Sequence, residues 1–123
     1  MTGSNPYSLE ETRKFQRSFK KLATPALKAQ LAQYLKEITL NPEHPKAERE
    51  PQPRRAAIPD GWAFYKLRFQ VGKGASGQIR LMYLVNDATL RIKLLWIYSH
   101  EQFAKRPADD DLIDVIQAAL EDS

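Results

Sequence analysis

The chain is 123 residues long, about the length of one domain, and 42% of its residues are hydrophobic, so we expect one folded core. It contains no cysteine, which excludes disulfides, thiolate metal sites and cysteine nucleophiles. Its two histidines, His44 and His100, have no neighbours at metal-ligand spacing. We therefore expect neither a metal site nor a cofactor.

Charge is unevenly distributed along the chain, whose net charge is +4. Residues 109–123 hold six acidic and no basic side chains, which leaves residues 1–108 with a net charge of +10. A basic body with an acidic tail predicts a polyanionic or acidic partner, although lysines that only keep the protein soluble would give the same balance.

No segment resembles a signal for export or a membrane span. The N-terminus lacks a basic start followed by an apolar run. The most apolar stretch, residues 90–98, is far shorter than the roughly 20 residues that a spanning helix requires. We therefore expect a cytoplasmic protein without a membrane partner.

The first third of the chain predicts a short strand around residues 7–12 and then two helices. The first helix covers residues 13–22, where apolar side chains recur on one helical face. These are Phe15, Phe19 and Leu22. Thr24 and Pro25 resemble the N-cap and first position of a second helix, which is expected to end near Asn41.

Residues 41–61 form a proline-rich connection. Five of the eight prolines lie here, so neither a helix nor a central strand can persist. The positive and negative charges of this segment balance, and we expect an extended surface connection without a chemical role.

Three strands follow over residues 62–71, 78–85 and 90–98, and their short connections predict an antiparallel meander. Successive side chains of a strand point to opposite faces, so one face of this sheet is apolar and must be covered by the helices. The apolar face is predicted to hold Ala63, Tyr65, Leu67, Phe69, Val71, Ile79, Leu81, Tyr83, Val85, Leu90, Ile92, Leu94, Trp96 and Tyr98. The other face mixes apolar residues with five cations, which are Lys66, Arg68, Arg80, Arg91 and Lys93.

The chain ends in an acidic extension, residues 104–123. A helix is predicted from Asp109 to about Leu120, and the aspartates at its start complement the helix dipole. The whole chain, residues 1–123, is therefore expected to be one α+β domain. In it, a short N-terminal strand and a helix pair pack on a twisted antiparallel sheet, and a helix follows at the C-terminus.

Four basic side chains suggest chemistry on a phosphodiester. Lys66, Arg68 and Arg80 share the mixed face, and His100 follows the last strand. Fixed cations stabilise the charge that grows on phosphate oxygens, and a group that titrates near neutral pH moves protons. By alternation alone His100 falls on the apolar face, so this interpretation requires the chain to turn after Tyr98. No carboxylate is expected on the mixed face, which disfavours a metal.

One glycine-rich segment is assigned no chemistry. Residues 72–77, GKGASG, lack the spacing of a phosphate-binding loop and lead into a strand rather than a helix. We predict a flexible hairpin loop.

Several short motifs resemble the RelE/ParE superfamily of bacterial toxins from toxin–antitoxin systems. They are FQRSFKKL at residues 15–22, YKLR at 65–68, IRLMY at 79–83 and LLWIYSHE at 94–101. The likeness covers about residues 7–103 and implies the RelE/ParE fold. It also implies a metal-independent endoribonuclease that cleaves translated mRNA at the ribosome, and an antitoxin protein as partner.

The resemblance also assigns roles to residues of this chain. Lys66 and Arg68 match the family's basic pair, Arg80 its phosphate-stabilising arginine, and His100 the basic position after the last strand. These four are the candidate catalytic residues. Candidate contacts to RNA or to the antitoxin are Arg91, Lys93, Tyr98 and Lys105. Many active members carry a tyrosine after the last strand, where this chain has residues 102–106 without one.

Two other functions fit the same pattern. A ParE-like protein would share the fold and inhibit gyrase by binding, although the acid or base candidate His100 favours the nuclease. A non-toxic interaction module of the same fold is the second alternative, in which the acidic C-terminal helix would lie over the basic face.

Overall fold

The chain alternates strands and helices in an α+β arrangement, and a computed structural model describes its residues 6–121. The elements are β1 (Ser8–Glu11), α1 (Arg13–Leu22), α2 (Pro25–Leu40), β2 (Ala47–Arg49), β3 (Trp62–Gln70), β4 (Gln78–Asn86), β5 (Arg91–Ser99) and α3 (Asp109–Glu121). A single 3-10 turn lies at Ala75–Gly77. None of the described helices is long and apolar enough to span a membrane.

The first two helices begin where the sequence predicts. Thr12 caps α1, and its hydroxyl accepts a hydrogen bond from the backbone N–H of Phe15. Thr24 caps α2 in the same way through Leu27, with Pro25 at the first helical position.

The sheet has five strands in the order β1-β5-β4-β3-β2. Strands β3, β4 and β5 form the predicted antiparallel meander, and β1 pairs parallel with β5. The predicted α+β class is confirmed, but the sheet is mixed rather than purely antiparallel. β2 pairs with β3 at the far edge, inside the proline-rich connection. A three-residue edge strand is possible there because prolines are tolerated beside an edge.

Both faces of the sheet are covered. On one face, α1 and α2 pack against the apolar strand residues and form the first core, which includes Phe15, Leu27, Leu31, Ile38, Leu67, Leu81 and Tyr83. On the other face, α3 forms a second core with the apolar part of the mixed face, which includes Phe64, Met82, Leu84, Leu95, Leu112 and Ile116.

A β-bulge in β5 changes the predicted faces. Leu95 is an extra residue, because the register of β5 against β4 shifts between Met82 and Tyr83. Side-chain alternation is therefore reversed beyond the bulge. Trp96 and Tyr98 lie in the second core and the residue between them lies in the first, so the faces predicted for these three residues were wrong.

Candidate functional site

A row of three polar side chains crosses the three central strands near one end of the sheet, on the face that carries α3. Arg68 on β3 is paired with Arg80 on β4, and Arg80 is paired with Tyr98 on β5. Directly opposed residues have Cβ atoms about 5 Å apart and share a face of the sheet. We call Arg68, Arg80 and Tyr98 the basic row.

The two arginines of the basic row have no partner to balance their charge. Arg68 is exposed and Arg80 is partly buried. Neither guanidinium forms an ion pair or a hydrogen bond with any residue in the described range, 6–121. Like charges directly opposed on neighbouring strands destabilise a sheet. A bound anion would remove this repulsion, so the geometry suits a phosphate.

Tyr98 places a buried hydroxyl beside these arginines. The residue is 1% exposed, and its hydroxyl is the one buried side-chain polar atom in residues 6–121 without a hydrogen-bond partner. Burial raises the pKa of Tyr98 to about 12, and the charge of Glu50 also raises it, against the opposite effect of Arg80, Arg106 and Arg68. The hydroxyl therefore stays protonated at neutral pH, and it can donate a hydrogen bond to an anion only when neighbouring side chains move to expose it.

Lys66 and two residues that the sequence did not single out form an ion-pair network next to the basic row. Glu50 follows β2, and its side chain is 6% exposed. Its carboxylate lies 3.1 Å from Lys66 Nζ and accepts a 2.9 Å hydrogen bond from Arg106. Arg106 also donates to Asp109 at the start of α3, at 3.1 Å.

This network corrects two predictions. The proline-rich connection was expected to have no role, and the mixed face was expected to carry no carboxylate, but Glu50 brings one from that connection to Lys66. Pairing of β2 with β3 is the cause, since Glu50 continues that pairing by donating its backbone N–H to Phe64. The only sequence feature that could have indicated β2 is an extended segment after Asn41 that contains the apolar residue Ala47.

Alternation along β5 after the bulge predicts that His100 lies on the same face as the basic row. Its backbone N–H donates to the Gln78 carbonyl, which continues the pairing of β4 and β5 by one residue. The bulge at Leu95 reverses alternation, so His100 follows Tyr98 on one face at about 7 Å along the chain. The bulge alone returns position 100 to the face of Tyr98, and the chain also turns there, since the backbone N–H of Gln102 donates to the Ser99 carbonyl.

The glycine-rich loop supports this arrangement. The backbone N–H of Glu101 donates to the Ala75 carbonyl, so the loop and the turn that carries His100 are joined. A Cβ on Gly77 would lie 2.5 Å from the Gly72 carbonyl oxygen, which explains a glycine there. The loop is held in place by backbone hydrogen bonds.

The other predicted contact residues lie elsewhere. Arg91 makes hydrogen bonds of 2.7 and 3.0 Å to Glu10, and Lys93 is 2% exposed. Both belong to the opposite end of β5 from His100. Of the four predicted contacts, Lys93 and Tyr98 are buried and Lys105 is exposed.

α3 packs on the apolar part of this face, and within residues 6–121 it forms no ion pair with the arginines of the basic row. Among the described residues, Asp109 pairs with Arg106, and no carboxylate of α3 pairs with Arg68 or Arg80. The region also contains no group of three or more His, Asp or Glu side chains placed to hold a metal ion, within residues 6–121.

Comparison with known proteins supports the fold. No protein-family model and no curated protein matches the sequence. Solved structures do match. An archaeal RelE-RelB complex from Pyrococcus horikoshii matches with a TM-score of 0.55 at 14% identity, over 76% of this chain and 94% of that chain. The chain has a RelE-like fold.

Two further RelE structures agree with this result. The free E. coli toxin RelE, in a form with two arginines replaced by alanine, matches with a TM-score of 0.52 at 17% identity, over 94% of this chain and 96% of that chain. A RelBE toxin–antitoxin complex from Mycobacterium tuberculosis matches with a TM-score of 0.50 at 15% identity, over 76% and 98%. The predicted likeness to the RelE/ParE fold is confirmed.

Proposed function

We propose that this protein is the toxin of a toxin–antitoxin pair, and that it cleaves translated mRNA at the ribosome as a metal-independent endoribonuclease in the cytoplasm. One observation supports this proposal most strongly. Arg68 and Arg80 are directly opposed and lie beside the unpaired hydroxyl of Tyr98. Within residues 6–121, neither guanidinium has an ion-pair or hydrogen-bond partner. Such a group has the charge and the hydrogen-bond donors that a phosphodiester requires.

The reaction that fits this arrangement is an internal transfer. The 2′-oxygen of a ribose attacks the adjacent phosphorus, and the bond to the 5′-oxygen of the next nucleotide breaks. The products are a 2′,3′-cyclic phosphate and a 5′-hydroxyl. One proton leaves the 2′-hydroxyl to a base, and an acid supplies another to the departing 5′-oxygen.

Each candidate residue has a role in this reaction. Arg68 and Arg80 stabilise the negative charge that grows on the phosphate oxygens, and the buried hydroxyl of Tyr98 donates a hydrogen bond to one of them only after neighbouring side chains move. His100 and Lys66 are the groups that accept and supply protons. Lys66 can approach the phosphate only if its 3.1 Å ion pair with Glu50 opens, so Glu50 controls the position of Lys66.

The proposed protein partner is an antitoxin with an acidic segment. Two of the similar structures are complexes of RelE-type toxins with their antitoxins. In this chain, the unpaired arginines of the basic row would attract such a segment, and its binding would exclude RNA from the same surface.

A second function is favoured by the ion-pair network itself. Glu50 occupies both Lys66 and Arg106, so the site could bind an anionic partner without moving protons. The protein would then be a non-toxic interaction module. A ParE-like inhibitor of gyrase would also bind without cleaving RNA.

Cleavage of a defined mRNA tests the proposal. The purified protein is incubated with the mRNA alone and with translating ribosomes. We expect cuts that depend on ribosomes and end in 2′,3′-cyclic phosphate. The variant His100→Ala should lose most of the activity, and wild-type rates would remove His100 from the mechanism. A folded protein that makes no cut would favour the binding functions, and a gyrase supercoiling assay would separate them.

A further inference from the structure

α1 carries a concentrated positive charge outside the basic row. Its ten residues include five cations, Arg13, Lys14, Arg17, Lys20 and Lys21, and no acid. None of these five forms an ion pair within the described residues. Like charges three and four residues apart destabilise a helix. The sequence therefore tolerates a repulsion that a polyanion would relieve.

Acidic residues of α3 face this helix across a groove without neutralising it. A groove of about 470 Å³ separates Arg13, Lys14 and Arg17 of α1 from Asp114 and Glu121 of α3. The two walls have opposite charge but are not joined by an ion pair in the described part of the chain. The groove stays open, and the cations remain available.

The cations of α1 adjoin the basic row through aromatic rings. Lys14 Nζ lies 4.1 Å from the centre of the Trp96 ring. The Phe103 ring lies 5.8 Å from Trp96 and 5.5 Å from Tyr98, edge-on to both. A pocket of about 130 Å³ beside Phe103 is lined by Lys14 and Lys21. Phe103 is thus located between the basic row and α1.

We propose that an RNA strand bound at the basic row continues over Phe103 and places its next phosphates on Lys14, Arg17 and Lys21 of α1. This inference rests on the proposed function, because it takes the substrate to be RNA. Single-stranded RNA is bound by grooves in which cations that contact phosphates alternate with aromatic rings that stack on bases. The order Arg80, Phe103 and Lys21 has this alternation.

The exposed face of α1 favours RNA over a protein partner. Its exposed positions are Arg13, Gln16, Arg17, Lys20 and Lys21, all of them polar. Protein interfaces are centred on aromatic and other apolar side chains, with lysine depleted. A face of unpaired lysines and arginines is instead typical of contacts to a phosphate backbone.

A pair of matched double variants tests this path. R17Q/K21Q removes two cations from α1, whereas K28Q/K36Q removes two exposed cations from α2, which lies on the face of the sheet opposite the basic row. Both change the net charge equally. Affinity is measured against a single-stranded RNA with 2′-O-methyl riboses, which lacks the attacking hydroxyl and is not cut.

The path predicts unequal effects. R17Q/K21Q should weaken RNA binding by about tenfold or more at 0.1 M salt and lower the slope of log affinity against log salt by about 1.4, or about 0.7 for each lost phosphate contact. K28Q/K36Q should weaken binding by less than about threefold, because its charges are distant and screened. Equal losses in the two variants, or no loss in R17Q/K21Q, would overturn the path.

A third variant tests the aromatic step. Phe103→Leu keeps an apolar side chain but cannot stack on a base, so RNA affinity should fall by about fivefold or more with an unchanged salt slope. An unchanged affinity would overturn the path over Phe103. Thermal unfolding of every variant checks that the fold is retained.

The result separates this inference from the proposed function. If RNA binding depends on α1 but no RNA is cut on ribosomes, the nuclease proposal fails and the path remains. If RNA is cut but both double variants bind it equally, the path fails and the nuclease remains. Binding of polyglutamate, which represents an acidic protein segment, is measured on the same variants. If R17Q/K21Q loses polyglutamate binding and keeps RNA binding, the path is overturned in favour of an acidic protein.

Discussion

Two pairs of cations lie at opposite ends of one face of the sheet, and only one pair is neutralised. At one end, Arg91 is held by Glu10, and Lys93 donates a 2.7 Å hydrogen bond to the last turn of α3. At the other end, Arg68 and Arg80 have neither a carboxylate nor a carbonyl partner among the described residues. The two pairs have the same charge in the same sheet but different surroundings.

The difference indicates which cations support the fold and which are available to a ligand. An unpaired charge in the interior costs several kcal/mol, so a buried lysine such as Lys93 must have partners. Arg68 and Arg80 avoid that cost through exposure to water and can exchange water for a phosphate. Lys93 was predicted to contact RNA or an antitoxin, and its burial explains why it instead anchors α3.

The largest expected effect comes from replacing one arginine at each end by alanine. Arg68→Ala should slow RNA cleavage by about 100-fold, or about 2.7 kcal/mol of activation free energy, while changing stability by less than about 0.5 kcal/mol. Arg91→Ala should keep the rate within about twofold and lower the free energy of unfolding by up to about 1 kcal/mol. Single-turnover kinetics and urea unfolding measure both. Similar rates in the two variants would remove the distinction between the ends.

The next effect is on stability alone. Lys93→Met should lower the free energy of unfolding by about 1–3 kcal/mol, because the Ala119 carbonyl loses its donor and Glu10 loses one cation. Lys105→Met is the control, since Lys105 is exposed, and it should change stability by less than about 0.5 kcal/mol. Urea unfolding compares the two. Equal midpoints would show that Lys93 does not anchor α3.

Two tyrosines give a smaller and opposite pair of effects. Tyr83→Phe removes a 2.7 Å hydrogen bond to the Pro42 carbonyl and should lower the free energy of unfolding by about 1 kcal/mol. Tyr98→Phe removes a buried hydroxyl that has no partner, so stability should be unchanged or rise by up to about 1 kcal/mol. Thermal unfolding measures both. A loss of stability in Tyr98→Phe as large as in Tyr83→Phe would reveal a partner for that hydroxyl.

The smallest effect is a dependence of stability on pH at the neutralised end. The hydrogen bond from Arg91 holds the pKa of Glu10 below its ordinary value of 4.5. The folded state therefore favours the ionised carboxylate, so this contribution is complete above pH 4.5 and is lost as pH falls through the lowered pKa. Glu10→Gln should remove that dependence. Parallel stability curves for the two proteins below pH 4.5 would contradict the assignment.

Most of the fold was predictable because its signals are local. The cap at Thr24 and the period of the apolar residues located α1 and α2, and alternation identified the three long strands. The bulge at Leu95 was not predictable, because Leu95, Trp96 and Ile97 are all apolar and no glycine or polar residue marks the extra position. β2 was missed because a short edge strand needs few apolar residues.

The candidate site was predictable in part for the same reason. Arg68 and Arg80 were identified from alternation within strands, which the bulge does not affect. Glu50 and Arg106 were missed because their contact joins segments 56 residues apart, and neither lies in a periodic element. Contacts of that kind are determined by tertiary packing and leave no pattern in the sequence.

The central claim is that the basic row performs the chemistry, and Arg80 tests it most directly. The measurement is the single-turnover rate of mRNA cleavage on ribosomes by the wild-type protein and by Arg80→Ala, with the 3′ ends of the products analysed. We predict a fall of about 100- to 1000-fold in a variant that unfolds at an unchanged temperature, and 2′,3′-cyclic phosphate on the wild-type products. Cleavage by Arg80→Ala at the wild-type rate would contradict the account.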